Sequence, residues 1–358
     1  MASKIRLNSL RKKMLRCALD GILIFSKNNC NYISGFLGSN GYVFITHKES
    51  YLFTDSRYIE QARQDLINWK IVQITRDFSS LMEVIFEIKK PSIDNLVIGF
   101  ESEHISFNKY IDLRNAIGDP VVLKPETHFL ESIRAIKDLH EIDILTKSAE
   151  LADKIMGKIL NNLKPGMTEL EISNMIQLDV LNLNVEGISF PTIIATGLNS
   201  AFPHHKPTEQ VVKNGDSLVI DMGILYQGYR SDISRTIFVG GDEDTKFSEI
   251  YAIVLEAQSA AYNMSFPGVK GSYLDKIARE IIKSKGYGDY FTHGLGHGVG
   301  LEIHERPMLT SSSEDLIDVG AVFTIEPGIY IPNWGGIRIE DVFVMQQDGA
   351  RLLTHSPK

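Results

Sequence analysis

Gly215-Asp216-Ser217-Leu218-Val219-Ile220-Asp221-Met222-Gly223 finds a counterpart 105 positions on, in Gly320-Ala321-Val322-Phe323-Thr324-Ile325-Glu326-Pro327-Gly328. Each stretch is a glycine, a short apolar run of strand character, a carboxylate and a second glycine. Working outward, the surroundings repeat too. A helix runs into Pro165-Gly166 and another starts at Thr168; a helix runs into Pro267-Gly268 and another follows. Downstream, each copy closes on an acid two residues after an arginine, in Arg230-Ser231-Asp232 and Arg338-Ile339-Glu340. One glycine-bounded strand ending in a carboxylate is a common turn. Two in the same order point to two helix–helix–hairpin units related by a pseudo-twofold, with their sheets joined and four acids face to face.

Four converging carboxylates repel and raise one another's pKa unless cations neutralise them. Two divalent metals do so and leave room for bridging oxygens. Alternate residues of a strand share a face, so Asp221 and Asp232 on hairpin partners can point the same way. A nitrogen ligand is on offer in His293-Gly294-Leu295-Gly296-His297-Gly298-Val299-Gly300, where the glycines would let the backbone bend sharply and approach a ligand. A phosphate loop is the competing reading, but this order matches neither G-x-G-x-x-G nor a lysine-terminated P-loop. Five of the ten histidines, His204, His205, His293, His297 and His304, lie between positions 204 and 304.

The first 123 residues alternate helix and strand: Leu7–Leu19 helical, Gly21–Ser26 a buried strand, Tyr42–Thr46 and Ser50–Thr54 flanking a turn, then Tyr58–Asp65 helical, Lys70–Ile74 extended, Leu81–Lys89 helical and Leu96–Phe100 extended. This is the pattern of an α/β sandwich, and it carries no cluster of metal-type ligands. A long amphipathic helical stretch from about Ile133 to about Leu163 follows, so the sequence divides into domains at 1–127 and 128–358.

With 358 residues, 43% hydrophobic and 23% charged, the chain is a globular protein and neither disordered nor collagenous. Its net charge of -8 argues against non-specific binding to nucleic acid or an anionic membrane. Two cysteines, Cys17 and Cys30, exclude a disulfide scaffold and read as small buried hydrophobes. The basic N-terminal stretch lacks the apolar run of a signal peptide, which sets the expectation of a cytoplasmic protein.

The second half resembles the pita-bread metallopeptidases, the fold of methionine aminopeptidase, aminopeptidase P and prolidase. The matching motifs are Val219–Gly223, Ser231–Thr236, His293–Glu305, Thr324–Gly328 and Gly336–Asp341, with the order Asp, Asp, His, Glu, Glu complete. The first half resembles the creatinase-type N-terminal domain of the proline-specific members, notably in Asn31–Phe36 and Phe53–Tyr58. The resemblance implies a creatinase-type α/β domain followed by a pseudo-twofold pita-bread catalytic domain, α/β and α+β in class.

It further implies that Asp221 holds one metal, His297 and Glu326 hold the other, and Asp232 and Glu340 bridge them. Carboxylate and imidazole donors without thiolate favour a hard or borderline ion, manganese first, then cobalt or zinc. The metals would activate a bridging water and polarise the scissile carbonyl, with Glu326 shuttling the proton. A bond before proline is a tertiary amide whose nitrogen must be protonated to leave. By resemblance His204 and His304 take substrate binding, oxyanion stabilisation and proton delivery, and His293 lines the site. His205 reads as a surface neighbour, while Arg338 and Arg230 would orient the acids.

The resulting expectation is a dinuclear Xaa-Pro aminopeptidase acting on peptides with proline second, a homodimer by resemblance. The alternative is an Xaa-Pro dipeptidase (prolidase), in which a basic group such as Arg306 holds the prolyl carboxylate. Two other readings weigh little against five intact ligands: a non-catalytic binding module of this fold, and metal-free creatine hydrolysis.

Overall fold

A computed structural model of the chain describes residues 2–75, 77–88, 96–119, 121–241 and 244–358. Its contacts group the residues through Arg134 and those from Ala135 into two compact units.

The first unit is built on a six-stranded sheet. In spatial order its strands are Lys70–Gln73, Ser50–Thr54, Gly41–Thr46, Gly21–Ile24, Leu96–Glu101 and Val121–Glu126. The central hairpin, Val43 opposite Leu52 and Phe44 opposite Tyr51, is antiparallel; Gly21–Ile24 pairs parallel with Leu96–Glu101. Its four inner strands read as near-continuous apolar runs because both faces are covered. Leu23, Phe44, Phe53, Leu81, Ile98 and Leu113 form its core, and Tyr42 stacks on Phe53 at 4.7 Å between ring centroids. The expected strands and helices appear close to their sequence-based positions. The first helix is Ala2–Arg16, shorter at its end than expected because Ala18 turns to a positive φ of 53°. Lys89, the end of an expected helix, lies outside the described residues.

The stretch expected as one helix from Ile133 to Leu163 is broken. Glu131–Arg134 is a short helix, Ile136 bridges to Ala321, and the Lys137 N–H donates to the Gly320 carbonyl. A new helix, Leu139–Asn162, then starts at Asp138, whose side chain and that of Glu141 cap each other's backbone N–H. Helical periodicity on both sides hides the break, which a distant strand imposes.

In the second unit the repeat is physical. Helices Leu139–Asn162 and Glu169–Leu181 precede the strand Ser217–Met222, as Thr245–Asn263 and Gly271–Ser284 precede Val322–Ile325. The glycines that open each strand, Gly215 and Gly320, share a left-handed φ of 90° and 92°. Each copy buries its own core. Leu218, Ile220 and Met222 pack with Met156, Ile172 and Ile176 in the first; Phe323 and Ile325 pack with Val254, Ala257 and Leu274 in the second. Because strand residues alternate in direction, sending these side chains to the helices sends Asp221 and Glu326 to the opposite face.

Candidate metal centre

The hairpin partners follow the same alternation. Ser217–Met222 pairs antiparallel with Ile233–Phe238, Asp221 opposite Ser234, so Asp232 shares Asp221's face. In the second copy Ile325 pairs with Asp341, and Glu340 lies just before that strand. A hydrogen bond from the Glu340 N–H to the Ser234 carbonyl at 3.2 Å ties the copies together. Ligand atoms of Asp232, His297 and Glu340 lie within 4.8 Å of one another. His297 Nε2 is 3.2 Å from Glu326 Oε1 and 3.7 Å from Asp232 Oδ2. His297 Nδ1 is 3.1 Å from the Gly298 carbonyl, which can only accept, so Nδ1 carries a proton and Nε2 faces the acids.

Burial and mutual repulsion act together on these acids. Burial raises Asp232 well above the ordinary carboxylate range, and Glu340, Asp221 and Glu326 push it further. Burial and the charges of Glu326 and Asp221 do the same to Glu340, and burial raises Asp221. Burial works on Glu326 in the same sense, but the hydrogen bond and charge of His297, with His293 and Arg338, outweigh it and hold Glu326 at about 2. Asp221 Oδ1 and Glu340 Oε1 are buried without a hydrogen-bond partner. Two orphaned oxygens in a pocket of acids and one imidazole fit divalent cations and fit little else.

The other oxygens of those two acids are held. Ser234 Oγ donates to Glu340 Oε2 at 2.7 Å, and Arg338 donates to Asp221 Oδ2 at 2.6 Å, to Tyr330 Oη at 2.9 Å and to the Pro203 carbonyl at 3.2 Å. Arg338 thus contacts an acid of the cluster. Arg230 does not: it donates to the carbonyls of Ser189 and Leu301. Arg235, fully buried, takes that place by donating to the Glu340 carbonyl at 2.6 Å and to Asp341 at 2.8 Å. The motif Ser231–Thr236 contained both Ser234 and Arg235, but nothing in their spacing distinguished them from ordinary strand residues.

A cavity of about 820 Å³ opens over the cluster, lined by Asp221, Asp232, Glu326 and Glu340 together with His204, His293, His297 and His304. His304 stands edge-on to His297, with ring centroids 4.3 Å apart; burial and then the His297 charge lower its pKa. His293 also lines the cavity, yet both of its nitrogens are engaged. Nδ1 donates to the Gly294 carbonyl at 2.7 Å, and Nε2 is 2.9 Å from Tyr330 Oη, whose phenol burial raises to about 12. His205, expected at the surface, turns inward to Glu169 at 2.8 Å. Arg306 pairs with Asp315 and is absent from the cavity lining.

The glycine run serves neighbouring strands more than a ligand. None of Gly294, Gly296, Gly298 and Gly300 has a positive φ. A Cβ on Gly296 would run into the Thr324 carbonyl, and one on Gly298 into the Arg306 carbonyl. The strand carrying His297 is squeezed between its two partners, and only glycine lets them close.

The family model of metallopeptidase family M24 matches residues 143–347, more than half of the chain. The chain belongs to metallopeptidase family M24. The Creatinase/Prolidase N-terminal domain matches residues 6–136 of this M24 peptidase. The Xaa-Pro dipeptidase of Pyrococcus furiosus is 37% identical over 357 residues, 99% of each chain. Among solved structures, an Xaa-Pro dipeptidase from Bacillus anthracis superposes with a TM-score of 0.92 at 38% identity, covering 99% of this chain and 98% of that one. An X-Pro aminopeptidase from Thermotoga maritima gives 0.85 at 34% identity, covering 97% and 98%. The full-length likeness supports the two-part architecture of a creatinase-type domain and a pita-bread domain.

Proposed function

We propose that this M24 peptidase is an Xaa-Pro dipeptidase, releasing an N-terminal residue from a dipeptide that ends in proline. The observation that carries the peptidase reading is the convergence of Asp221, Asp232, His297, Glu326 and Glu340 on one cavity floor with two oxygens orphaned. In this reading those five residues hold two divalent ions, manganese first and cobalt or zinc next. When bound, such ions polarise a carbonyl and acidify water.

The rest falls to the chain's own side chains. Glu326, ionised beside His297, accepts the proton of the attacking water. His304, whose pKa burial lowers, and His204, which lines the same cavity, take substrate hydrogen bonding, oxyanion stabilisation and proton delivery to the prolyl nitrogen between them. His293, with its nitrogens engaged, contributes to substrate binding through the shape of the wall.

Dipeptide length is supported by the dipeptidases among the full-length relatives and by the distribution of charge in the cavity. Of its Lys and Arg lining residues, Arg338 is committed to Asp221, whereas Lys206 is exposed and makes no ion pair with a described residue. Lys206 is the group we assign to the prolyl carboxylate, in place of Arg306. The reading includes a cytoplasmic homodimer in which residues 1–127 form the N-terminal domain and 128–358 the catalytic domain.

The test is turnover of Ala-Pro and Ala-Pro-Ala after chelation and readdition of Mn²⁺, with sedimentation to establish the oligomer. Preference for Ala-Pro supports the dipeptidase. Preference for the tripeptide replaces it with the aminopeptidase favoured by the sequence alone, and the Thermotoga maritima relative keeps that outcome open.

A further inference from the structure

Glu169 lies away from the acid cluster, at the first position of the helix Glu169–Leu181, and its side chain is 0% exposed. It nevertheless accepts five hydrogen bonds. Oε1 receives the Thr196 N–H at 2.8 Å and Asn199 Nδ2 at 2.9 Å. Oε2 receives His205 Nε2 at 2.8 Å, the Thr208 N–H at 2.9 Å and Thr208 Oγ1 at 2.7 Å. Thr196 ends a strand and Asn199 lies in the short helix Gly197–Ala201, while His205 and Thr208 follow it. One carboxylate therefore pins both ends of the segment 196–208. At its middle stand His204 and Lys206, both lining the cavity.

Two further contacts hold that segment to the second repeat. Arg338 donates to the Pro203 carbonyl at 3.2 Å, and the Gly336 N–H donates to Ser200 Oγ at 2.7 Å. These fix its centre, and Glu169 fixes its ends. An ionised carboxylate can accept at every lone pair, and all five partners here are donors. Burying a charge in this way is tolerable because it is so fully hydrogen-bonded and because it sits at a helix N-terminus.

We propose that Glu169 is a positioning residue of the peptidase, holding the loop that presents His204 to the substrate over the acid cluster. It touches neither substrate nor reacting atoms and acts through His204. The inference rests on the Xaa-Pro peptidase reading and adds to it a residue some 35 positions before the loop's functional histidine.

The discriminating variant is Glu169→Gln, which keeps shape and volume but turns one side of the carboxylate into a donor facing donors. In the Mn²⁺-loaded enzyme, kcat/KM for Ala-Pro is expected to fall at least tenfold, on the order of 1.4 kcal/mol, with metal stoichiometry unchanged. The decisive readout is a double-mutant cycle with His204→Ala. If Glu169 acts through His204, E169Q costs less than twofold in the H204A background. Full additivity, an E169Q enzyme within twofold of wild type, or loss of metal in E169Q would each overturn the proposal. Should E169Q fail to fold, Thr208→Val removes one donor from the same carboxylate and is carried through the same cycle. Wild-type enzyme that cleaves neither Ala-Pro nor Ala-Pro-Ala defeats the peptidase reading itself, and with it this inference. An active wild type with an additive cycle defeats the inference alone.

Discussion

Lys137 and Glu305 form an ion pair at 2.8 Å with side chains only 1% and 3% exposed, and replacing Lys137 by Met puts a number on what that pair contributes. Met matches the aliphatic stem and removes the charge. Glu305 then loses its ion pair in a place where water does not reach, beside Gly300, whose missing Cβ makes room for its carboxylate, while the Glu302 N–H at 3.4 Å remains. Breaking a buried pair from one side costs about 3–5 kcal/mol. For a unit of this size each kcal/mol lowers the melting temperature by about 2–4 °C, so the shift is roughly 6–20 °C.

Removing both charges, in Lys137→Met with Glu305→Gln, leaves neither charge of the pair behind, and a matched apolar and neutral pair is often close to neutral. The double variant should therefore recover more than half of the single variant's loss. Calorimetry on the four proteins of the cycle reads this directly. A Lys137→Met protein within 1 °C of wild type, or two single losses that simply add, would refute the reasoning. The pair also matters for the site, since Glu305 follows His304 and pairs with Gly298, next to His297.

Three further outcomes follow from the geometry. Glu340→Ala should abolish metal-dependent turnover of Ala-Pro. It should also flatten the rise in melting temperature on adding Mn²⁺, a rise worth about 2.7 kcal/mol at a hundredfold excess over Kd in the wild type. Gly296→Ala drives a Cβ into the Thr324 carbonyl, a backbone atom that cannot swing aside; a loss of about 1–3 kcal/mol in urea denaturation is expected, with weaker Mn²⁺ binding through the displaced His297. Burial works to raise Glu169, but donors from Thr196, Asn199, His205 and Thr208 outweigh it and hold its carboxyl below the ordinary 4.5. A depressed acid contributes stability that is complete above pH 4.5 and is lost as pH falls through its lower folded value. The wild-type melting temperature should therefore fall more steeply than that of Glu169→Gln below pH 4.5.

The four clustered acids were legible because their signal is local and doubled. A strand of alternating direction between two glycines, ending in a carboxylate, carries its own instruction, and the second copy 105 residues on removes the coincidence. The alternation that buries Leu218 and Ile220 is the same one that exposes Asp221 to the cleft, so the face of each acid could be stated before its partner was known. The two cores, one per copy, follow from that pattern.

What periodicity could not supply is pairing between residues that share no pattern. The break at Ala135–Lys137 is imposed by a bridge from Ile136 to Ala321, and the helical spacing on either side is silent about it. The glycines from 294 to 300 looked like a flexible approach to a ligand; their use is to let carbonyls of adjacent strands come close, which depends on strands distant in sequence. His205 looked like a surface residue and became the half-buried partner of Glu169 because the loop folds back on it. Arg230 and Arg306 were plausible site cations, yet the tertiary fold gave them to carbonyls and to Asp315. By itself the sequence determined which acids the repeat pairs and which face Asp221 and Asp232 take, because those follow from repeating local geometry. Only the tertiary structure decided what holds them in place, because each supporting hydrogen bond joins two segments whose meeting is set by the packing of the whole unit.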